Sequence, residues 1–150
     1  MVAIILSIGI LATPRRVWSL LSDIERQPEW MTGICSLDIN QAGSSGKNTT
    51  FQVMSKGPFG IRVVDDMECV ESIKERQFTI DHVGRVKGFS RFTLAPIEDG
   101  TRLSWHEEIY MPLGMLGKFI VRIFYKRKLR RTFTRDLWRL KKLAERTHVG

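Results

Sequence analysis

The stretch Thr13-Pro-Arg-Arg-Val-Trp-Ser-Leu-Leu-Ser-Asp-Ile-Glu-Arg-Gln-Pro-Glu-Trp30 decides the fold of this chain. Thr13 is a good N-cap, and Pro14 suits the first helical position because no backbone N–H is needed there. The apolar side chains that follow at spacings of three and four share one helix face: Val17, Leu20 and Leu21, with Trp18 at its margin. Asp23, Pro28 and Trp30 indicate the end of this helix, a second short turn and a return to extended chain. The sequence therefore predicts two short helices in succession.

The sequence on both sides of this stretch has the pattern of β-strands. Residues 1–12 are apolar, and alternate positions can line one face of a first strand: Ile4, Leu6, Ile8 and Ile10. This segment lacks the basic start of a signal peptide and is shorter than the roughly 20 residues of a membrane span. Further strands are predicted at about 33–42, 48–56, 60–73, 76–83, 86–96 and 101–111, with turn-forming residues between them. Such short connections favour an antiparallel meander.

The two ends of the chain resemble the START-like (SRPBCC) superfamily, in its polyketide cyclase/dehydrase and lipid-transport branch. The matching residues at the start are Thr13-Pro14, Val17-Trp18, Leu21-Ser22-Asp23, Pro28 and Trp30. At the other end, Gly100-Thr101 leads into a last strand, and a long helix finishes with Leu137-Trp-Arg-Leu-Lys-Lys-Leu-Ala-Glu145. The resemblance implies an α+β helix-grip fold, in which a curved antiparallel sheet of about seven strands wraps around the long C-terminal helix. It also implies two short helices after strand 1 and a cavity between sheet and helix.

Composition predicts one compact domain over residues 1–150. The chain is 43% hydrophobic and 27% charged, which is ordinary for a globular protein. Cys35 and Cys69 form no CxxC motif, no Cys/His cluster and no disulfide framework, so a reducing cytoplasm is the expected location. Because there is no Cys/His cluster, we expect no metal site. The sequence has no Gly-rich phosphate loop either, so we expect no cofactor.

Alternation along the strands predicts which side chains face the cavity. In the last strand, Leu103, Trp105 and Ile109 form the more apolar face, which is therefore expected to point inward together with Glu107. Large apolar side chains at this spacing are more often plain core than ligand contacts. The predicted ligand-binding residues are Phe59, Ile61, Val63, Phe78, Ile80, His82, Ser90, Phe92, Leu94, Leu103, Trp105, Glu107, Ile109, Leu116, Ile120 and Phe124.

Glu107 and His82 are the candidates for a catalytic role. A carboxylate at an inward position is costly unless it is paired or hydrogen-bonded. Glu107 is therefore a pocket acid, a partner of an arginine, or a residue that a bulge turns outward. His82 is either a pocket base or an ordinary buried histidine. Asp65 and Asp66 are adjacent on a strand and point to opposite faces, so they form no carboxylate dyad.

The net charge of the chain is concentrated on its terminal helix. Between Lys126 and Lys142 there are nine basic residues and one acid, whereas the rest of the chain has equal numbers of basic and acidic residues. Three interpretations of this face stay open: a solvated surface, a contact with an anionic membrane, or docking to an acidic carrier protein or nucleic acid. Nucleic acid is the weakest of these because no recognition motif accompanies the charge. The residues predicted for such a contact are Arg127, Lys128, Arg130, Arg131 and Arg135, which would make the protein peripheral at a membrane.

The same segment carries two apolar stripes that do not align. Leu116, Phe119, Ile120 and Ile123 define one stripe, and Leu129, Phe133, Leu137, Leu140 and Ala144 define the other. At 3.6 residues per turn the stripes are offset by roughly 90° to 100°. We therefore expect a bend near Tyr125–Lys128 or two separate helices, with an irregular stretch at 113–125 lying over the cavity mouth as a lid.

Two functions agree with these patterns. The first is the binding, transport or sensing of a hydrophobic small molecule such as a lipid, quinone or polyketide. The alternative is a cyclase or dehydratase that uses Glu107, His82 and Ser90 as pocket acid, base and hydroxyl groups. The first is favoured because the sequence contains no catalytic motif such as GxSxG or HExxH.

Overall fold

A computed structural model describes residues 1–43, 46–56, 60–110 and 119–146, and the side chains of residues 119–121 lie outside this description. Within these residues the chain begins with β1 (Val2–Ile10), α1 (Pro14–Leu21), a 3-10 turn (Ile24–Arg26) and α2 (Gln27–Trp30). The following strands are β2 (Ile34–Gln41), β3 (Thr50–Lys56), β4 (Arg62–Ile73), β5 (Gln77–His82), β6 (Lys87–Ile97) and β7 (Gly100–Tyr110). A long helix, α3 (Phe119–Glu145), comes last.

The strands form one antiparallel sheet in the order β1-β7-β6-β5-β4-β3-β2. The sheet is therefore a meander from β2 to β7, and β1 adds to it by pairing with β7. Helix α3 packs on the sheet through Leu137, Leu140 and Ala144, which are all buried. The predicted helix-grip arrangement, with short helices after the first strand, is confirmed.

The opening stretch folds as its sequence predicts. The Thr13 hydroxyl accepts a hydrogen bond from the backbone N–H of Arg16 at 3.2 Å and caps α1. The apolar face of α1 is fully buried: Val17, Leu20 and Leu21. At the end of the stretch, the Trp30 ring lies 5.9 Å from that of Phe92 and 6.1 Å from that of Trp105, in edge-on contacts. The stretch therefore anchors the two short helices in the main core.

Two features determine the strand register at the centre of the sheet. The turn between β6 and β7 pairs Ile97 with Gly100, and the unbroken ladder that follows places Ser90 opposite Glu107. Between β4 and β5, a bulge between Cys69 and Glu71 shifts the register by one residue. Beyond the bulge Met67 pairs with His82. Directly paired residues share a face of the sheet, so the bulge turns Met67 and Asp65 toward the concave side.

The irregular stretch predicted at 113–125 is wrong for residues 119–125, which are helical. Helix α3 runs without interruption from Phe119 to Glu145, a range that contains no proline and no glycine, and residues 113–118 lie outside the described residues. The apolar stripe changes because only the second half of α3 packs on the core, through Leu137, Leu140 and Ala144. Ile123 and Phe124 are 39% and 64% exposed, so these two side chains form no core-facing stripe. No helix among the described residues is long and apolar enough to cross a membrane.

Candidate ligand-binding site

A cavity of about 350 Å³ lies between the concave face of the sheet and α3. Strands β3 to β7, the segment after α2 and the middle of α3 contribute its walls. Eight of the side chains predicted to bind ligand line it: Val63, Ile80, His82, Ser90, Phe92, Trp105, Glu107 and Ile109. Side chains that were not among the predicted ligand-binding residues complete the wall, among them Met31, Phe51, Asp65, Tyr125, Phe133 and Asp136.

Five other predicted residues do not line the cavity. Phe78, Leu94 and Leu103 are buried in the core, because the inward face of the sheet also packs against α1. The Phe78 ring, for example, lies 5.9 Å from the ring of Trp18 in α1. Ile61 precedes the first residue of β4 and Phe124 lies on the outer side of α3, so both are more than 60% exposed. Phe59, Leu116 and the side chain of Ile120 lie outside the described residues.

Four neighbouring strands each place one polar side chain in the cavity wall. These are Asp65 of β4, His82 of β5, Ser90 of β6 and Glu107 of β7, here called the carboxylate–histidine group. His82 Nδ1 lies 2.8 Å from Asp65 Oδ2, and His82 Nε2 lies 3.1 Å from Glu107 Oε1. The Ser90 hydroxyl donates to Glu107 Oε2. A continuous hydrogen-bonded chain therefore runs diagonally across the sheet, because His82 lies two residues along the strands from the Ser90–Glu107 pair and Asp65 two residues further.

Glu107 faces inward, as the alternation predicts, and is only 3% exposed. Besides its bonds to His82 and Ser90, it accepts a hydrogen bond of 2.9 Å from the indole N–H of Trp105. Three donors thus compensate for the loss of water around this carboxylate. Its ionic partner is a histidine and not an arginine, and the unbroken β6–β7 register excludes an outward-turning bulge.

His82 is held as an imidazolium between two carboxylates. Burial alone lowers the pKa of a histidine, but the hydrogen bonds and negative charges of Asp65 and Glu107 outweigh it and raise the pKa of His82 to about 9. Both ring nitrogens therefore carry protons at neutral pH and both donate. With two carboxylates and one imidazolium, the carboxylate–histidine group has a net charge of −1.

Asp65 is the functional candidate that sequence reasoning missed. Its Oδ2 accepts from His82, but its Oδ1 has no hydrogen-bond partner in the described part of the chain, although Asp65 is only 6% exposed. A Cβ placed on Gly84 would lie 2.5 Å from that Oδ1, so only a glycine leaves room for the oxygen. Asp66 faces the other side of the sheet and contacts Gln52. The bulge in β4 turns Asp65, and not Asp66, toward the cavity, and no pattern in the sequence predicts this bulge.

A second acid ties α3 to the segment after α2. Asp136 is 1% exposed and accepts 2.8 Å hydrogen bonds from both the backbone N–H and the hydroxyl of Thr32. Burial raises the pKa of Asp136 despite these bonds. Burial and the negative charge of Glu107 likewise raise the pKa of Tyr125, whose ring lines the cavity from α3. The exposed residues Lys56, Lys128 and Arg135 also line it, so its solvent side is basic.

The profile of the family described as polyketide cyclase / dehydrase and lipid transport matches residues 1–145. This chain belongs to that family. Among the curated proteins no sequence matches it at a significant level. The family match and the fold together support a hydrophobic ligand-binding fold for this protein.

Three solved structures with the same fold share 14–18% sequence identity with this chain. The Thermus thermophilus protein TTHA0849 has 15% identity and a TM-score of 0.79, with 97% of this chain and 99% of that chain covered. KanY has 18% identity and a TM-score of 0.79, with 96% and 97% covered. The di-domain ARO/CYC StfQ from the steffimycin biosynthetic pathway has 14% identity and a TM-score of 0.72, and the match covers 97% of this chain and 49% of StfQ. At these identities the likeness shows the fold alone.

The carboxylate–histidine group of this family member is not arranged as a metal site. Its two carboxylates contact opposite nitrogens of one imidazole ring and therefore do not converge with it on one point. Among the described residues, no three His, Cys, Asp or Glu side chains could hold a metal ion together.

The outer face of α3 presents the predicted basic residues to solvent. Arg127, Lys128, Arg130, Arg131 and Arg135 are all exposed, and in the described residues none of them lies within 4 Å of a carboxylate. Phe124 and Trp138 are 64% and 51% exposed. Residues 124, 131 and 138 are spaced by seven, about two helical turns, so these aromatic rings lie on the same side of α3 with arginines between them.

Proposed function

We propose that this protein binds a hydrophobic small molecule, such as a lipid, quinone or polyketide-like ring, and carries or senses it without converting it. The observation that carries this proposal is the cavity itself. Its volume of about 350 Å³ falls in the usual range for small-molecule sites, and its largely apolar walls include the hydrogen-bonded carboxylate–histidine group and a basic solvent side. The family and the fold support the binding of a hydrophobic ligand.

Organic extraction of the purified protein followed by mass spectrometry tests this proposal. We expect a stoichiometric apolar compound in the wild-type extract. A Val63→Trp variant should lose most of it, because Val63 lines the cavity and an indole would occupy ligand volume. Ile61→Trp is the matched control, since Ile61 is 63% exposed and lies outside the cavity. An empty wild-type extract, together with no affinity for apolar fluorescent dyes, would contradict the proposal.

A cyclase or dehydratase activity is the second candidate. The observation that favours it is the hydrogen-bonded chain from Ser90 through Glu107 and His82 to Asp65. Both nitrogens of His82 are engaged, however, so this ring has no free position from which to exchange a proton with a substrate. Binding without turnover therefore ranks first. Conversion of the extracted compound by wild-type protein but not by Glu107→Gln would reverse this order.

We further propose that the outer face of α3 contacts an anionic membrane surface when ligand is collected or delivered. The support is the combination of five exposed basic side chains with two exposed aromatic rings, Phe124 and Trp138, along one helix. Basic residues near an anionic bilayer contribute about 1 kcal/mol each, and aromatic rings favour the headgroup region. Because Arg135 lines the cavity as well, such a contact would lie beside the ligand site.

Vesicle co-sedimentation tests this contact. The protein should bind vesicles of phosphatidylcholine with phosphatidylglycerol, and bind pure phosphatidylcholine at least tenfold more weakly. The double variant Arg127→Glu/Arg131→Glu should lower binding to the anionic vesicles at least tenfold. A control with the same charge change on the β4–β5 turn, Lys74→Glu/Arg76→Glu, should lose much less. Equal losses in the two variants would show that only net charge matters. No vesicle binding at all would contradict the membrane contact and leave a solvated surface or an acidic partner as the interpretation of this face.

A further inference from the structure

We propose that the hydroxyl of Tyr125 donates a hydrogen bond to a carbonyl oxygen of the bound ligand, which is therefore an apolar molecule with a ketone, quinone or ester group at this point. This inference rests on the proposed function, because it concerns the same cavity and names the chemistry of one ligand group. It also gives α3 a part in ligand recognition.

Tyr125 faces the cavity from the inward side of α3. Tyr125, Leu129 and Phe133 all line the cavity, and their spacing of four residues places them on one face of the helix. Burial and the negative charge of Glu107, which lies on the opposite wall, raise the pKa of Tyr125. The hydroxyl therefore lies on the side of α3 that faces the sheet, and it keeps its proton at neutral pH.

The hydroxyl of Tyr125 is a donor that the described part of the chain leaves without an acceptor. Glu107 accepts from three other donors, and no described residue pairs with the Tyr125 oxygen. This oxygen is not one of the unpaired polar atoms that the protein encloses, in contrast to Asp65 Oδ1, which lies beside Gly84. A ligand atom in the cavity can therefore reach the hydroxyl of Tyr125.

The donors on the facing part of the sheet are already occupied. Both nitrogens of His82 donate to carboxylates. The Ser90 hydroxyl and the Trp105 indole N–H both donate to Glu107. A ligand oxygen that enters the space between this part of the sheet and α3 is therefore satisfied by Tyr125 and not by these three side chains.

The carboxylate–histidine group restricts which oxygen fits beside Tyr125. Its net charge of −1 repels a ligand carboxylate or phosphate at this point. A ligand hydroxyl would bring a proton that needs an acceptor, but Asp65 Oδ1 is enclosed and Glu107 already accepts three hydrogen bonds. A carbonyl oxygen only accepts, so one hydrogen bond from Tyr125 satisfies it. The exposed Lys128 and Arg135 offer a separate place for any anionic ligand group.

The variant Tyr125→Phe tests this contact because it removes the hydroxyl and keeps the ring. Two probes of similar shape are compared: 2-acetylnaphthalene, which has a carbonyl oxygen, and 2-isopropylnaphthalene, which has none. Their affinities are measured by competition with a fluorescent apolar dye, whose own affinity is determined for each variant. The variant should bind the ketone at least about fivefold more weakly than the wild type does, whereas binding of the hydrocarbon should change less than about twofold.

Tyr110→Phe is the matched control, because Tyr110 is the other tyrosine of the chain and its exposed hydroxyl donates to Glu108 on the outer face of β7. It should leave both affinities unchanged. Infrared spectroscopy of the bound ketone adds a readout that a change in packing would not reproduce. The carbonyl stretching frequency should be lower in the wild type than in Tyr125→Phe, because a hydrogen bond weakens the C=O bond.

The failure of this inference is distinguishable from the failure of the proposed function. Equal losses of ketone and hydrocarbon binding in Tyr125→Phe, or no loss of either, would overturn the hydrogen bond and leave hydrophobic ligand binding intact. A carbonyl frequency in the wild type equal to that of the ketone in an alkane solvent would also overturn it, whether or not the variant folds. No binding of either probe to the wild type, combined with an empty organic extract, would overturn both.

Discussion

Replacement of Glu107 by leucine is expected to lower the free energy of unfolding by about 3–5 kcal/mol. The substitution removes the acceptor of three donors at once: the His82 imidazolium, the Ser90 hydroxyl and the Trp105 indole N–H. These three donors are buried, so the substitution leaves the hydroxyl, the indole N–H and one N–H of the His82 cation without an acceptor. Urea denaturation at pH 7 measures the effect.

Two further variants show whether the loss comes from the buried group. Glu108→Leu changes the neighbouring carboxylate, which faces the other side of β7 and pairs with the partly exposed His106, and it should cost less than about 1 kcal/mol. In a His82→Leu background, Glu107→Leu should cost much less than it does in the wild type, because the charge that needed Glu107 is gone. A loss no larger than that of Glu108→Leu would contradict the proposed electrostatic role of Glu107.

The stability of the protein should fall by about 3 kcal/mol between pH 6.5 and pH 9. The pKa of His82 is raised from 6.5 to about 9 because the hydrogen bonds and charges of Asp65 and Glu107 outweigh the effect of burial. The folded protein therefore holds this proton more tightly than the unfolded chain. The resulting stabilisation is fully present below pH 6.5, where both states are protonated, and is lost as the pH rises through 9.

Urea titrations at a series of pH values between 6 and 9 measure this dependence. His82→Gln should abolish most of the slope in that range, whereas His106→Gln should retain it because the His106 side chain is 34% exposed. The range stops at pH 9 because burial raises the pKa of Cys69 from 9 to about 11. Above pH 9 the unfolded chain loses this thiol proton before the folded protein does, which also lowers stability. A flat profile between pH 6.5 and 9 would mean that His82 is not held as a cation in the folded protein.

Local sequence patterns predicted most of the fold because they reflect strong, short-range preferences. The Thr13-Pro14 start determined α1, and the period of two along β7 identified Glu107 as an inward carboxylate. The turn after Ile97 is short enough to define the β6–β7 register, so Ser90 and Glu107 could in principle be paired from the sequence. The alternation failed at Ile61, which precedes the first residue of β4, and the predicted lid failed at Phe124, which is exposed on α3.

The terminal helix shows where a correct pattern led to a wrong interpretation. The two apolar stripes exist in the sequence, but they do not require a break in α3. An apolar side chain need not pack in the core, and Phe124 projects from the outer face beside the arginines. Only the position of the helix relative to the sheet distinguishes a core stripe from an exposed one.

By itself, the sequence determined the strands, the short helices, the concentration of positive charge on α3 and the inward direction of Glu107, because each depends on neighbours within a few residues. Only the tertiary structure shows which acid of β4 pairs with His82 beside Glu107. With the register of the β4–β5 turn, where Ile73 pairs with Gln77, His82 would share a face with Asp66 and Glu68. The bulge between Cys69 and Glu71 shifts the ladder by one residue and brings Asp65 to His82 instead. Because side chains alternate between the two faces of a strand, this single added residue exchanges an exposed carboxylate for a buried one and completes the candidate site.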